Sequence, residues 1–316
     1  MSLQKSRRMG DKLTMTKSMT LKLDSFGKEI VKMDKPHGYY YESFRIFRKN
    51  KVAMVSLGVL ILLILLAITA PFITSFDPDK QVLSERLLSP GVKGHLFGTD
   101  EFGRDIFTRC IYGCRISLSV GIISQLIASV IGYLMGVSAG YFGKRTDDVI
   151  SFLIQVFSSI PFLLFAMALM YALGSGLMNL YLSLGLLSWA NTARLIRGQV
   201  LTLKQQEYIQ ACIVNGGSSA RIIFKHLLPN CIPMLIITNT LGIPSAILTE
   251  ASLSFLGLGV PSPTASWGAM ISSAQTYIRT NTYYSLFPGL FIIVSVMSFN
   301  MLGDGLRDAL DPKLHK

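Results

Sequence analysis

"AMVSLGVLILLILLAITAPF", residues 53–72, runs for twenty residues without a charge. At ~1.5 Å rise per residue, about 20 helical residues cross the ~30 Å hydrocarbon layer of a bilayer, so this stretch is long enough to span a membrane. The whole chain supports that reading. Half of its 316 residues are apolar and 15% are charged, and the charges fall in blocks separated by long uncharged intervals. Such segregation is the pattern of a membrane protein rather than of a water-soluble domain.

The quoted stretch sits inside an uncharged interval at 52–76. Working outward, 116–143 is a second interval, and 149–193 is uncharged for long enough to hold two spans parted near the glycines at 174–176. A fifth span is expected at 230–249 and a sixth at 280–303. The expectation is therefore an all-α membrane protein of six transmembrane helices, with both termini on one side. Basic residues choose that side. Thirteen Lys and Arg precede the first span, and the short connections that would share its face bring the total there to 23 of 30. Basic residues collect in the cytoplasm, which places both termini inside and the segments 77–115 and 256–284 outside. With that topology the net charge of +12 points to anionic membrane lipids rather than to nucleic acid.

No cleaved leader is expected, because the first apolar run begins near residue 52, is too long for a signal peptide, and lacks an A-x-A site. Residues 1–38 are polar without period and read as poorly ordered. Residues 39–51 place Tyr41, Phe44 and Phe47 along one side, with Arg45, Arg48, Lys49 and Lys51 around them. This reads as an amphipathic helix lying in the membrane interface or as an aromatic and basic anchor for the first span.

Several chemistries find no support. Among the spans Glu250 alone is charged, whereas proton- and ion-coupled carriers place ionisable groups at mid-membrane. No G-x-x-x-x-G-K-[ST] occurs, so the chain carries no nucleotide site of that kind. His37, His95, His226 and His315 are scattered, and Cys110, Cys114, Cys212 and Cys231 show no metal-ligand spacing. No catalytic, cofactor or metal residue is expected.

Between the fourth and fifth spans lies "EYIQACIVNGGSSARIIFKHLLPN" (207–230). Tyr208, Ala211, Cys212 and Asn215 recur at helical steps, and Gly216-Gly217 then stops the helix. Ser218 can cap a second short helix, closed by Pro229. A short, nearly uncharged helix with a small-residue face invites another surface to approach closely.

At this point the chain resembles a known family, the permease subunits of bacterial ATP-binding-cassette (ABC) importers of the oligopeptide, dipeptide and nickel group, in particular the second, C-type permease. The family's cytoplasmic signature, E-A-A, then any three residues, then G, falls on Gln210, Ala211, Cys212 and Gly216. Gln210 stands in place of the usual Glu, with Glu207 one turn earlier, and Cys212 in place of the second Ala. The likeness continues through 95–118, 187–211, 250–270 and 299–312, and covers about residues 40–313. It implies a type I ABC importer permease fold, with a permease core at 116–313 and a coupling helix at 207–217 in which Glu207, Tyr208, Gln210, Ala211, Cys212, Asn215 and Gly216 face an ATPase. It also implies a second homologous permease subunit, two cytoplasmic ATPase subunits that carry ATP and Mg2+, and an external substrate-binding protein. The chain itself would be no enzyme. Peptides are the expected cargo, with nickel or a metal chelate as the alternative.

Three features remain open on the residues alone. Glu250 is either a rim residue reaching water or part of the translocation path. Trp267, in the proline-broken "GLGVPSPTASWG" (257–268), is either a wall of the cargo route or part of a structural cap. Asp304, Arg307 and Asp308 are at helical-pair spacing, which favours a local salt bridge, with contact to the ATPase as the alternative.

Overall fold

The computed structural model describes residues 39–311, with side chains from residue 41. The polar stretch 1–38 and His315 lie outside the described residues. Among the described residues the regular structure is helical, with one isolated bridge between Thr99 and Asp105.

Helix α1 (Tyr39–Lys49) meets α2 (Lys51–Ile73) at Asn50, whose side-chain oxygen accepts from the Ala53 amide at 3.1 Å and so starts a new helix. Pro71 lies inside α2 and has no N–H to offer the carbonyl four residues back. That carbonyl, of Ala67, instead accepts from the Arg115 guanidinium, which also reaches the Ile68 carbonyl at 3.1 Å.

Helix α3 (Ile106–Phe142) starts well before the expected position near 116. Asp105 caps it through the Thr108 amide at 2.7 Å. Arg109 and Arg115, which read as loop charges, are accommodated on the helix by carbonyl groups from distant segments.

The expected pair of straight spans within 149–193 also needs correction. The break at 174–176 is present, but α4 (Lys144–Ser159) and α5 (Phe162–Leu173) also meet at 92°, across Pro161. Asp147 on α4 accepts from Arg197 on α6 (Leu177–Lys204) at 2.5 and 2.7 Å, which fixes the base of the bent pair. Among the described residues, four helices are long and apolar enough to cross a membrane, or five if the bent pair is one span. The expected six are not reached on that criterion, because Asn179, Asn191, Thr192, Arg194 and Arg197 dilute the apolar character of α6.

The short helices α7 (Glu207–Val214) and α8 (Ser219–Ile222) follow, and a wide π turn at Ile223–Leu227 feeds α9 (Leu228–Phe255). Helix α10 (Trp267–Ala274) folds back against α9, and α11 (Tyr283–Leu310) closes the bundle.

The most extensive contact joins α3 to α6. A β-carbon added at Gly132 would sit 2.6 Å from Thr192 Cβ, and one at Gly136 would sit 2.6 Å from the Ala193 carbonyl oxygen. In return, Gly185 on α6 admits Ile127 of α3 with the same closeness, 2.6 Å. The G-x-x-x-G of α3 is thus an intrachain seam, in which small residues let two backbones approach and pack by dispersion.

Candidate functional site

Three regions could serve function: the α7 platform, the outer collar with its buried carboxylate, and a groove along α9.

Ile209 anchors the platform. It is fully buried in a cluster with Tyr133, Val137, Ile196, Val200, Ile222 and Leu227, so α7 is seated on the ends of α3 and α6. The helix ends at Val214, short of the expected 217. Gly216, at φ +74°, turns the chain in the left-handed region, and the Gly217 amide donates to the Cys212 carbonyl at 2.9 Å. Lys204 donates from Nζ to the Tyr141 carbonyl at 2.7 Å, joining the end of α6 to the end of α3 just before α7 begins.

Of the residues singled out in the sequence, Glu207, Tyr208, Gln210, Ala211, Asn215 and Gly216 are exposed on the platform. Gln210 donates its amide N–H to the Lys204 carbonyl at 2.6 Å, and Asn215 donates to that of Ala211 at 2.8 Å. Cys212 turns partly inward, with its thiol 3.7 Å from His226 Nε2. Sequence reasoning missed Val214 (84% exposed) and Phe224 (61% exposed), which with Tyr208 make the platform apolar as well as open. An exposed apolar surface of that kind makes the platform a candidate contact site.

On the expected outer side, Arg109 binds three segments together. Its guanidinium donates to the carbonyls of Pro78 at 2.8 Å and Pro263 at 3.3 Å, and lies 3.6 Å from Asp100. His95 is buried, stacked on Phe76, and within 3.0 Å of Asp105. Glu85 sits beside it, and the Lys93 ammonium holds the Glu85 carboxyl below the usual range. Gly103 has φ +74°, and a β-carbon there would meet the Val82 carbonyl oxygen at 1.9 Å, so only glycine fits. Tyr283 donates to the Leu88 carbonyl at 2.9 Å, and Asn281 to that of Leu87 at 3.3 Å, so the start of α11 completes the collar.

Glu250 and Trp267 answer differently from either alternative that gives them a water-facing role. Both are wholly buried, so neither presents a surface to cargo or to water. Glu250 accepts from Ser254 at 2.8 Å, Ser266 at 2.9 Å and Ser117 at 3.5 Å. The Trp267 indole donates to the Cys110 carbonyl at 3.0 Å and its ring fills the space left by Gly113. Together they fasten α10 to α3 and α9, which is a structural arrangement.

The groove consists of two clefts of about 680 and 780 Å3 that share Met234, Ile237 and Arg307. The first is lined by neutral hydrogen-bonding groups from several helices, among them Gln125, Ser188, Asn191, Thr238 and Ser245. Arg307 is its sole ionisable residue. The expected salt bridges from Arg307 to Asp304 or Asp308 are absent among the described residues. The three side chains are exposed near the end of α11. No group of three or more His, Cys, Asp or Glu among the described residues is placed to hold a metal ion.

A multi-pass helical bundle with a short exposed helix seated between two of its spans defines the class, an ABC-importer permease. Its fold matches a chain from inward-facing crystals of the MetNI methionine ABC transporter, with a TM-score of 0.51 at 19% identity, over 64% of this chain and 96% of that one. Residues 132–316 match the family model of the binding-protein-dependent transport system inner membrane component, and 38–90 match that of the N-terminal TM domain of oligopeptide transport permease C. The oligopeptide transport system permease protein OppC of Bacillus subtilis (strain 168) is 43% identical over 85% of this chain and 88% of its own length. The dipeptide permease DppC of the same organism is 43% identical over 88% and 87%, and the di/tripeptide permease DppC of Pseudomonas aeruginosa (strain UCBPP-PA14) 40% identical over 86% and 92%. The chain belongs to the C-type permeases of the binding-protein-dependent transport family, as a multi-pass inner-membrane subunit that transports rather than catalyses.

Proposed function

We propose that this chain imports peptides as half of a heteromeric pathway, with α7 as the joint to an ATPase subunit. The observation that carries the reading is the α7 platform, open and apolar outward yet rooted by Ile209 into the α3–α6 seam. A helix held this way transmits a push instead of absorbing it. The similarity to permeases named for oligopeptides, dipeptides and di/tripeptides supports peptide as cargo.

The full topology is six crossings, with the bent α4–α5 pair as the third and α6 as the fourth. Helix α6 buries Ser183 and Thr192 and turns Asn191 to the groove, while Leu182 and Leu186 face outward, so part of its polarity is met by protein or by the groove. Both termini are then cytoplasmic, with α1 in the membrane interface, where Tyr41 and Phe44 lie beside Arg45 and Arg48. A second permease subunit completes the pathway, two ATPase subunits bind below with ATP and Mg2+, and an external binding protein delivers cargo to the collar.

The test is ATP hydrolysis by the complex isolated in nanodiscs through a tag on this chain, with its binding protein and a panel of peptides. Stimulation by peptide, together with an ATP-dependent crosslink from a Tyr208→Cys or Asn215→Cys variant to the ATPase, supports the reading. An active complex that gives no crosslink from either position removes α7 as the joint.

A further inference from the structure

We infer that Arg307 is a carboxylate-reading station on the cargo route, where the terminal carboxylate of a peptide pairs with its guanidinium before release to the cytoplasm. The inference rests on the peptide-importer reading above and goes beyond it by naming what part of the cargo the groove recognises.

The geometry begins with length. From Pro229 to Thr249, the limits of the groove on α9, ~1.5 Å per residue gives ~30 Å, the depth of the hydrocarbon layer. The two clefts are therefore successive stretches of one route, and Arg307 borders both. Above it the groove offers amides and hydroxyls, such as Gln125, Asn191 and Thr238, that can hydrogen-bond a peptide backbone whatever its side chains. Such a lining moves cargo of any charge without holding it. Arg307 is the exception, an exposed guanidinium with no ion-pair or hydrogen-bond partner among the described residues.

Nearby carboxylates do not cancel it. Asp304 and Asp308 share α11 with it but make no ion pair with it, and Asp311 lines the inner cleft but not the first one. A free guanidinium fork matches a carboxylate in two parallel N–H···O bonds, whereas an amide offers one weaker acceptor. The one chemical feature shared by unmodified peptides and missing from peptide amides is that carboxylate.

The experiment uses the complete complex in proteoliposomes, with binding protein saturated by one peptide in two forms, free acid and C-terminal amide. Uptake and ATP hydrolysis are measured for the native chain, Arg307→Lys and Arg307→Gln. The expected result is that the native complex carries the acid faster than the amide by on the order of tenfold. Arg307→Lys should keep part of that ratio, while Arg307→Gln should bring it to about one by slowing the acid and sparing the amide. An acid-to-amide ratio unchanged in Arg307→Gln overturns the proposal, as does a native complex with no preference. If Arg307→Gln slows both forms equally and lowers hydrolysis with them, Arg307 serves contact with the ATPase and the proposal is wrong. Failure of the native complex to hydrolyse ATP in response to either form would instead count against the peptide-importer reading.

Discussion

Arg115 of α3 donates to the carbonyl of Ala67 in α2, the carbonyl that Pro71 leaves without its helical partner. A proline that would otherwise open the first span is thus served from the second span. In a bilayer a freed backbone carbonyl is costly because no water replaces the lost donor.

Replacing Arg115 with Ala should lower stability by about 1–3 kcal/mol, the cost of an unsatisfied buried carbonyl. The cost should shrink in a Pro71→Ala background, where residue 71 regains an N–H for Ala67. Thermal melting of the four variants in one detergent reads the coupling, and strictly additive effects would contradict the account.

The α3–α6 seam predicts a contrast between glycines. Gly136→Ala places a methyl 2.6 Å from the Ala193 carbonyl oxygen and should cost about 1–3 kcal/mol by overpacking. Gly58→Ala, on the same type of helix with nothing within 4 Å, should be neutral or stabilise by up to about 1 kcal/mol. Fluorescence-detected melting of both variants checks the sign of each.

At the platform, Ile209→Ala removes the buried anchor of α7. Its expected effect is a several-fold loss of peptide-stimulated ATP hydrolysis, since truncating a buried Ile costs ~2–5 kcal/mol locally. Gln210→Glu loses only a hydrogen bond to the Lys204 carbonyl at the exposed edge and should change hydrolysis less than twofold. Similar losses in both variants would mean that the anchor is not what matters.

For the buried carboxylate, Glu250→Gln retains an acceptor oxygen for the serines of α3, α9 and the turn before α10, while Glu250→Leu takes away the acceptor of all three hydroxyl protons. The Leu variant should melt lower by about 1–3 kcal/mol equivalent, and the Gln variant should stay close to native. Equal transport by both variants at normal temperature would agree with a purely structural Glu250.

The sequence made much of this legible, but unevenly. Charge-free length revealed α2, and helical spacing with a glycine stop located α7, because both signals are local. Where α3 begins was hidden, since Arg109 looks like a loop charge until Pro263, 154 residues away, supplies its carbonyl. The bend at Pro161 and the polar character of α6 escaped for a related reason. Thr192 is buried where Gly132 lets α3 press against it, a contact that no local pattern announces. Glu250 looked water-facing because nothing local connects it to Ser117 and Ser266.

The outer collar also dictates an order of assembly in the cell. Leu87 and Leu88 leave the ribosome early, but the tyrosine that closes on them, Tyr283, is 195 residues behind Leu88. At roughly 5–20 residues per second, synthesis takes about 10–40 s to supply it. During that interval α2 and α3 have been made while the connection between them lacks its final clasp. Only the delivery of α11 supplies that clasp.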